Sequence, residues 1–186
     1  MKRLFDLIFA IMLVTILLIP FLLVAITILV TSKGSVLYWS DRVGINNSIF
    51  SMPKFRSMKT NTPEIASHLV SNPDEYLSPI GGFIRRYSID ELPQLYSILK
   101  GDMSFVGPRP ALYNQSDLIE LRIQKNIIQI IPGLTGWAQV NGRDDLSIIE
   151  KVKFEEEYFE RKSFWFDLKI LWMTFIKVTG KKGISH

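Results

Sequence analysis

The stretch RRYSIDELPQL places two arginines, Arg85 and Arg86, a few residues ahead of two adjacent carboxylates, Asp90 and Glu91. An ionised carboxylate can attack phosphorus and form an acyl phosphate. A place in the first turn of a helix and nearby arginines both favour the ionised form, so the pattern predicts Asp90 as a nucleophile. Neighbouring helical residues point about 100° apart, so Glu91 is predicted to reach another part of the site, as an Mg²⁺ ligand would.

A structural alternative exists for the acidic pair. Ser88 followed by Glu91 three residues later is the pattern of a capping box at a helix start. This interpretation accounts for Ser88 and Glu91, but it leaves Asp90 and the two arginines without a role.

Phosphoryl chemistry also requires cations to neutralise charge on oxygen, and arginine does so with two parallel hydrogen bonds. Candidate cations occur in predicted loops, where each taken singly is more often a solvated charge: Lys54, Arg56, Arg109 and Arg143. Arg109 is the strongest of them, because Pro108 and Pro110 restrict the backbone on both sides of it.

Composition excludes several other chemistries. The chain has no cysteine, and its two histidines are His68 and His186, which argues against disulfides, thiolate sites, histidine-rich metal centres and a Ser-His-Asp triad. The net charge of +4 suits lipid headgroups, phosphorylated substrates or nucleic acid equally well. Glycine-rich nucleotide-binding signatures are absent from the sequence.

Residues 7–30 carry no charge and are long enough as a helix to cross a bilayer. A cleaved signal peptide fits poorly, because the apolar run is too long and ends without a small-residue cleavage site. Pro20 predicts a break in the middle, and basic residues such as Lys2 and Lys33 flank both ends. These residues alone are compatible with a single crossing and with a re-entrant helix.

A second candidate membrane contact lies near the C-terminus. At helical period the large apolar residues fall on one arc: Trp165, Leu168, Leu171, Trp172, Phe175 and Ile176. Such an arc usually faces a protein core. Tryptophans flanked by lysines are also typical of an interfacial helix, and the N-terminal segment favours this second interpretation.

The remaining pattern predicts an α+β fold that is mainly α. A β-hairpin is predicted from the short β-rich runs around residues 36–39 and 48–58, and a polar loop over 60–79 with a short helix around 64–70. Helices are predicted over 92–99, 111–127 and 147–159, followed by the tryptophan-bearing helix. Residues 101–110 and 131–143 are predicted to be loops.

Together these features resemble the bacterial sugar transferase family, the small monotopic phosphoglycosyl transferases that begin the assembly of surface glycans. The likeness covers nearly the whole chain. It is carried in order by RLFD, the apolar segment with its proline, KFRSM, SIDELPQL, KGDMSFVGPRP, PGLTGWAQVNGR and DLKILWMTF.

The resemblance implies a two-step exchange. Asp90 attacks the β-phosphorus of a UDP-sugar and releases UMP, and polyprenyl phosphate then takes the phosphosugar. Glu91 is implied as the Mg²⁺ ligand. Arg85 matches a family arginine five residues before the nucleophile, and Lys54 matches the lysine of the KFR-type motif, which here also contains Arg56.

The remaining matches are in two loops. Pro108, Arg109 and Pro110 match the proline-arginine-proline loop of the family, and Arg143 matches an arginine of its uridine-side loop. Arg86, next to Arg85, is predicted as a further substrate-binding residue.

The resemblance also implies the membrane arrangement. Residues 1–32 would form a re-entrant membrane helix broken at Pro20, and residues 33–186 a catalytic domain on the cytoplasmic face of the bacterial inner membrane, resting there through Trp165 and Trp172. Serine commonly precedes the proline of this break, whereas Ile19 does so here. Thr15 is an alternative source of a hydroxyl.

Two other functions compete with this one. A carboxylate-based glycosyl hydrolase would need its two carboxylates about 5–10 Å apart on opposite sides of a sugar, which sequence neighbours do not readily provide. A membrane-anchored interaction module would use the acidic pair only as a helix cap. The expected partners are a UDP-sugar, polyprenyl phosphate, the membrane and downstream glycosyltransferases, with no nucleic acid. The sugar, the pathway and the oligomeric state stay open.

Overall fold

The computed structural model describes residues 1–60, 62, 73–142 and 145–180, which form an α+β fold that is mainly helical. The prediction of an α+β fold that is mainly α is therefore confirmed. The short helix predicted around residues 64–70 lies outside the described residues, as does Arg143.

Two apolar helices begin the chain. Helix α1 (Lys2–Ile16) and helix α2 (Leu18–Thr31) meet at Leu17 and are bent by 62° relative to each other. Within the described part of the chain no single helix is long and apolar enough to cross a membrane, although this bent pair together passes the same test.

Pro20 explains where the break falls. Proline lacks an N–H and clashes with the carbonyl four residues earlier, which here belongs to Ile16, the last residue of α1. The predicted break is thus present, but it lies one turn before Pro20 rather than at it. The hydroxyl of Thr15 donates to the carbonyl of Ile11 at 2.9 Å, so it does not replace the missing partner of Ile16.

Asp6 attaches α1 to the rest of the protein. Its side chain is buried and accepts hydrogen bonds from Ser104 Oγ at 2.9 Å and from the backbone N–H of Phe105 at 3.3 Å. The side chain of Asp6, near the start of apolar α1, is therefore hydrogen-bonded to other residues of the protein.

Basic residues at the start of α1 act in the same way. Lys2 Nζ lies 2.5 Å from Asp167, and Arg3 donates to the carbonyls of Ile98 and Leu99. The charges that the sequence suggested as membrane-flanking therefore also hold α1 against the protein.

The predicted hairpin is confirmed. Strands β1 (Leu37–Val43) and β2 (Ile49–Phe55) pair antiparallel, with Tyr38 opposite Lys54 and Arg42 opposite Phe50. A 3-10 turn (Ile45–Asn47) joins them. Phe55 packs on Phe21 of α2, while Met52 enters the main core.

Three short helices follow in the described chain after the 3-10 turn Pro73–Tyr76: α3 (Gly81–Arg86), a 3-10 helix (Ile89–Gln94) and α4 (Leu95–Lys100). We call the middle one the acidic 3-10 helix, because it carries Asp90 and Glu91. The helix predicted over residues 92–99 is confirmed in its second part only. Helix α4 stops at Gly101, whose φ of 104° suits glycine.

Two segments predicted as loops contain strands. Strand β3 (Ser104–Val106) pairs in parallel with strand β4 (Gly133–Thr135). Both strands are too short to show a period in the sequence, and the two lie far apart along the chain. Helix α6 (Trp137–Asn141) also lies where a loop was predicted.

The longer helices fit the predictions better. Helix α5 (Ser116–Gln124) is shorter than the predicted span, and a 3-10 turn (Ile127–Gln129) follows it. Helix α7 (Ile148–Arg161) begins with a capping box formed by Ser147 and Glu150. Helix α8 (Phe164–Thr179) is the predicted tryptophan-bearing helix.

Helix α8 exposes four of the six residues of its predicted apolar arc, Trp165, Trp172, Phe175 and Ile176, whereas Leu171 packs against the main core. Trp165 is 78% exposed and Trp172 63% exposed, whereas Asp167 on the opposite side is buried. The inward face uses Phe166 and Ile170 instead. The core-facing interpretation of this arc is therefore wrong for these four residues and right for Leu171.

Candidate active site

The acidic pair does not form the capping box that its spacing suggested. Ser88 precedes the acidic 3-10 helix in the left-handed region, with φ of 53°, and makes no capping hydrogen bond through its side chain. Glu91 instead turns its carboxylate towards two cations. The capping-box explanation of Glu91 is thereby excluded.

Glu91 is paired with Lys54 and Arg109. Its Oε1 lies 3.0 Å from Lys54 Nζ and 2.5 Å from Arg109 Nη2, and its side chain is only 12% exposed. Burial acts to raise the pKa of Glu91, but Arg109 and Lys54 outweigh it and hold this pKa well below its usual range. Glu91 is therefore a fixed negative charge.

The pKa of Asp90 is shifted in the opposite direction. Asp90 is buried, and burial raises its pKa; Lys54 lowers it, Glu91 raises it and Arg85 lowers it, with a net shift upward. Arg85 acts on the pKa of Asp90 in the expected direction, but the net lowering expected from arginines and a helix dipole is not found. Loss of hydration outweighs these charges, and a short 3-10 helix offers little dipole.

Lys54 reaches the pair from β2. It is largely buried, which lowers its pKa, and the charge of Glu91 opposes this shift. Because β2 packs Phe55 against α2, the strand that carries Lys54 also contacts the apolar helix pair.

Arg42 joins the same cluster, although sequence reasoning did not select it. Burial, and then Arg109, lower its pKa to about 10, while Glu91 acts in the other direction. Its Nη1 lies 3.4 Å from the carbonyl of Pro110. Its position on the face of the hairpin shared with Lys54 is the signal that would have identified it.

The Pro108–Pro110 loop is held by its carbonyls. Four consecutive carbonyls, from Pro108 to Ala111, accept hydrogen bonds from three other parts of the chain. The donors are Gly133 N to Pro108 O at 2.8 Å, Arg122 Nη2 to Arg109 O at 2.9 Å, Arg42 Nη1 to Pro110 O at 3.4 Å and Val43 N to Ala111 O at 2.9 Å. The loop thus presents Arg109 from a fixed backbone.

Glycines allow the Pro108–Pro110 loop to pack closely against residues 131–136. A Cβ on Gly107 would lie 2.4 Å from the carbonyl oxygen of Ile131, and one on Gly136 would lie 2.1 Å from that of Gly107. Only residues without a side chain permit the two backbones to approach this closely.

The other predicted residues are placed less centrally. Arg85 is half-buried and acts electrostatically on Asp90, whereas Arg86 is exposed at the end of α3. Arg56 donates to Ser35 Oγ at 2.8 Å at the start of the hairpin. The structure therefore brings Lys54, Arg85 and Arg109 to the acidic pair.

The donor set fits Mg²⁺ in one way only. Among the described residues no group of three or more carboxylate, histidine or cysteine side chains is arranged to hold a metal. Mg²⁺ commonly takes one or two carboxylates and completes its shell with water and substrate phosphates. Asp90 and Glu91 can supply the carboxylates. Because Lys54 and Arg109 already contact Glu91, a metal ion has to share the Glu91 carboxylate with these two side chains or displace them.

A buried acidic pair beside several cations is the kind of site that binds and transfers a phosphoryl group. The model of the family described as bacterial sugar transferase matches residues 1–181. The chain belongs to the bacterial sugar transferase family, which confirms the resemblance seen in the sequence.

Individual relatives agree with this assignment. The chain is 40% identical over 188 residues to "Undecaprenyl-phosphate glucose phosphotransferase" of Komagataeibacter xylinus, covering 93% of this chain and 35% of the relative. It is 41% identical over 189 residues to "Uncharacterized sugar transferase EpsL" of Bacillus subtilis (strain 168), covering 100% of this chain and 91% of the relative.

A third relative is "UDP-glucose:undecaprenyl-phosphate glucose-1-phosphate transferase" of Escherichia coli (strain K12), 36% identical over 161 residues, which cover 83% of this chain and 35% of the relative. The chain thus spans about a third of the length of two of these relatives and nearly all of the other.

Proposed function

We propose that this protein transfers a phosphosugar from a UDP-sugar to polyprenyl phosphate, giving a polyprenyl diphosphate sugar and UMP. The observation that carries the proposal is the buried Asp90–Glu91 pair, with Lys54 and Arg109 bound to Glu91. The names of two relatives mention undecaprenyl phosphate together with glucose, and they support this pair of substrate classes.

The proposed chemistry is a double displacement. An oxygen of ionised Asp90 attacks the β-phosphorus of the UDP-sugar, the bond from that phosphorus to the bridging oxygen breaks, and UMP leaves with the electron pair. An oxygen of polyprenyl phosphate then attacks the same phosphorus, and the bond to Asp90 breaks. The carboxylate is regenerated, so each turnover consumes one UDP-sugar and one lipid phosphate.

The raised pKa of Asp90 is compatible with this role. Burial leaves the ionised carboxylate poorly hydrated, and a poorly hydrated nucleophile is more reactive. A diphosphate in the site would be neutralised by Lys54, Arg85 and Arg109, which surround the pair. These groups are in place before substrate binds, so little reorganisation is required during the reaction.

Mg²⁺ is the proposed cofactor, and Glu91 would be its protein ligand. When bound, Mg²⁺ neutralises charge on the leaving phosphate. Arg109 and Lys54 would then share Glu91 with the ion or turn towards the substrate, and in both cases they keep the site cationic.

The proposed location is the cytoplasmic face of the bacterial inner membrane. The bent pair α1–α2 leaves large apolar side chains exposed, among them Leu4, Ile19 and Val30, and we propose that it enters the bilayer as a re-entrant helix. Trp165 and Trp172 on α8 would rest in the headgroup region. This placement lets a soluble nucleotide sugar and a lipid phosphate meet at Asp90.

The test is turnover of the full chain in nanodiscs. Purified protein is mixed with Mg²⁺, undecaprenyl phosphate and each of several UDP-sugars, including UDP-glucose, UDP-galactose and UDP-N-acetylated sugars. We expect UMP and lipid-linked sugar in equal amounts with at least one donor. UDP as the nucleotide product, or free sugar without a lipid product, would instead favour a glycosyl transfer or hydrolase reaction. Absence of any product with every donor would favour the interaction module.

A further inference from the structure

A buried ion pair lies behind the Pro108–Pro110 loop. Arg122 of α5 and Glu155 of α7 are 7% and 2% exposed. Nε of Arg122 lies 2.8 Å from one carboxylate oxygen of Glu155, and Nη2 lies 2.5 Å from the other. Two parallel hydrogen bonds of this kind fix the plane of the guanidinium.

The same guanidinium holds the backbone of Arg109. Nη2 of Arg122 donates to the carbonyl oxygen of Arg109 at 2.9 Å, while the side chain of Arg109 reaches Glu91. A chain of direct contacts therefore runs from Glu155 through Arg122 and Arg109 to the acidic pair.

Stability alone is a poor explanation of this ion pair. Burying two charges is costly, and apolar side chains of similar volume often stabilise a protein as well or better. The neighbouring cluster, which includes Leu118, Ile127 and Val152, is apolar and suits such a replacement. An apolar pair would nevertheless leave the carbonyl of Arg109 without its side-chain donor.

We infer that Arg122 and Glu155 are positioning residues for Arg109. Glu155 orients the guanidinium of Arg122, and Arg122 fixes the carbonyl of Arg109, so that the Arg109 side chain points at Glu91 and at the phosphoryl group. The last of these steps rests on the proposed function. The hydrogen bond from Arg122 to the Arg109 carbonyl does not rest on that function, since it involves no substrate.

The first test is a double variant, Arg122→Met with Glu155→Met, which removes both charges at similar volume. We expect its Tm to equal or exceed that of the wild type. We expect kcat for UMP release to fall about 10- to 100-fold, the effect of losing one charged hydrogen bond. The matched control is Lys125→Gln with Glu156→Gln, a more exposed pair at 3.0 Å that joins the residue after α5 to α7, which should change neither quantity.

The second test is a double-mutant cycle with Arg109→Ala. If Arg122 and Glu155 act through Arg109, their replacement has little further effect on kcat once the Arg109 side chain is gone. A loss of equal size in both backgrounds would show that the pair acts elsewhere and would overturn the inference. Parallel losses of Tm and kcat in the double variant would do the same.

Hydrogen exchange separates this inference from the proposed function. In the double variant the amides of Arg109, Ala111 and Leu112 should exchange faster, while those of α8 keep their wild-type rates. If the wild type releases no UMP with any donor, the function fails but this measurement still decides the positioning role. Unchanged loop exchange in a folded double variant would overturn it.

Two single variants provide a graded comparison, and Arg122→Lys, which keeps both charges, replaces the double variant if that variant does not fold. Glu155→Gln keeps one acceptor for Arg122 and should retain most of the rate. Arg122→Lys keeps the charge but lacks the planar fork that bonds both carboxylate oxygens in parallel, so its kcat should lie between those of Glu155→Gln and the double variant. Equal kcat for Arg122→Lys and the wild type would contradict the need for a guanidinium.

Discussion

Asp90 and Glu91 are neighbours in the chain, yet their pKa values are shifted in opposite directions. Burial raises the pKa of Asp90, whereas Arg109 and Lys54 overcome burial and hold the pKa of Glu91 well below its usual range. Opposite shifts of this kind assign different roles to two carboxylates. Here Glu91 is the permanent charge and Asp90 is the group whose charge is costly.

Lys54 is predicted to control the pH dependence of the reaction. Among the charges acting on Asp90 it lowers the pKa most, so Lys54→Met should raise that pKa further. Because the ionised carboxylate is the nucleophile, the rate should begin to fall at a higher pH in the variant as the solution is acidified. We also expect the rate at neutral pH to fall about 10-fold or more.

The measurement is the pH profile of kcat for UMP release. The control is Lys59→Met, an exposed lysine that donates to the carbonyl of Glu75 away from the acidic pair. An acidic limb at the same pH in Lys54→Met and the wild type would refute the electrostatic role of Lys54.

Asp90→Asn is predicted to stabilise the protein while abolishing activity. A carboxyl whose pKa is raised by folding binds its proton more tightly in the folded state, so its ionised form lowers stability at any pH above the raised value. Asparagine removes this penalty. The variant should show a higher Tm at neutral pH, with the difference vanishing below about pH 4, where aspartate is protonated in the unfolded chain as well.

Thermal unfolding at several pH values measures this difference. Asp41→Asn, at an exposed carboxylate on the hairpin that accepts from Ser51 Oγ, serves as the comparison and should show no such gain. A lower Tm for Asp90→Asn at neutral pH would mean that burial does not dominate the energetics of Asp90.

Gly107→Ala is predicted to damage the loop that carries Arg109. The added Cβ would lie 2.4 Å from the carbonyl oxygen of Ile131, so one of the two backbones has to move. We expect a loss of about 1–3 kcal/mol in the free energy of unfolding, the usual effect of overpacking, and a larger loss of activity. The control is Gly82→Ala, where the nearest atom is a side-chain carbon of Leu77 at 3.6 Å. Wild-type stability and rate in Gly107→Ala would show that the backbones tolerate separation.

The exposed face of α8 is predicted to bind lipid. Replacing Trp165 and Trp172 by serine removes two largely exposed tryptophans without opening the core. Because interfacial binding scales with buried apolar area, co-sedimentation of the full chain with liposomes should weaken even though α1 and α2 are kept. Ile149→Ser, at a residue 74% exposed on α7, is the matched control. Equal binding by all three proteins would assign membrane contact to α1 and α2 alone.

Sequence reasoning identified the parts of this protein that carry local signals. The long helices, the hairpin and the break near Pro20 have a period or a proline to mark them. The acidic pair and Arg109 were found because adjacent carboxylates and a guanidinium between prolines are unusual. These signals depend on residues close together in the chain.

Other features depend on distant contacts and were missed or mistaken. Strands β3 and β4 are three residues each, and only their pairing defines them. The pKa of Asp90 depends on burial, which the sequence RRYSIDELPQL does not reveal. Arg42 and Arg122 act through carbonyls of the Pro108–Pro110 loop, so their roles appear only when the fold brings them there.

The most direct test of the proposed chemistry is the first half-reaction. Wild-type protein and Asp90→Asn in nanodiscs are each mixed with Mg²⁺ and the active UDP-sugar, without lipid phosphate, and UMP is measured. We predict a burst of UMP approaching one equivalent of wild-type enzyme, a phosphosugar bound covalently to Asp90, and neither in the variant. UMP that appears only after polyprenyl phosphate is added, or an equal burst from Asp90→Asn, would contradict a covalent intermediate on Asp90.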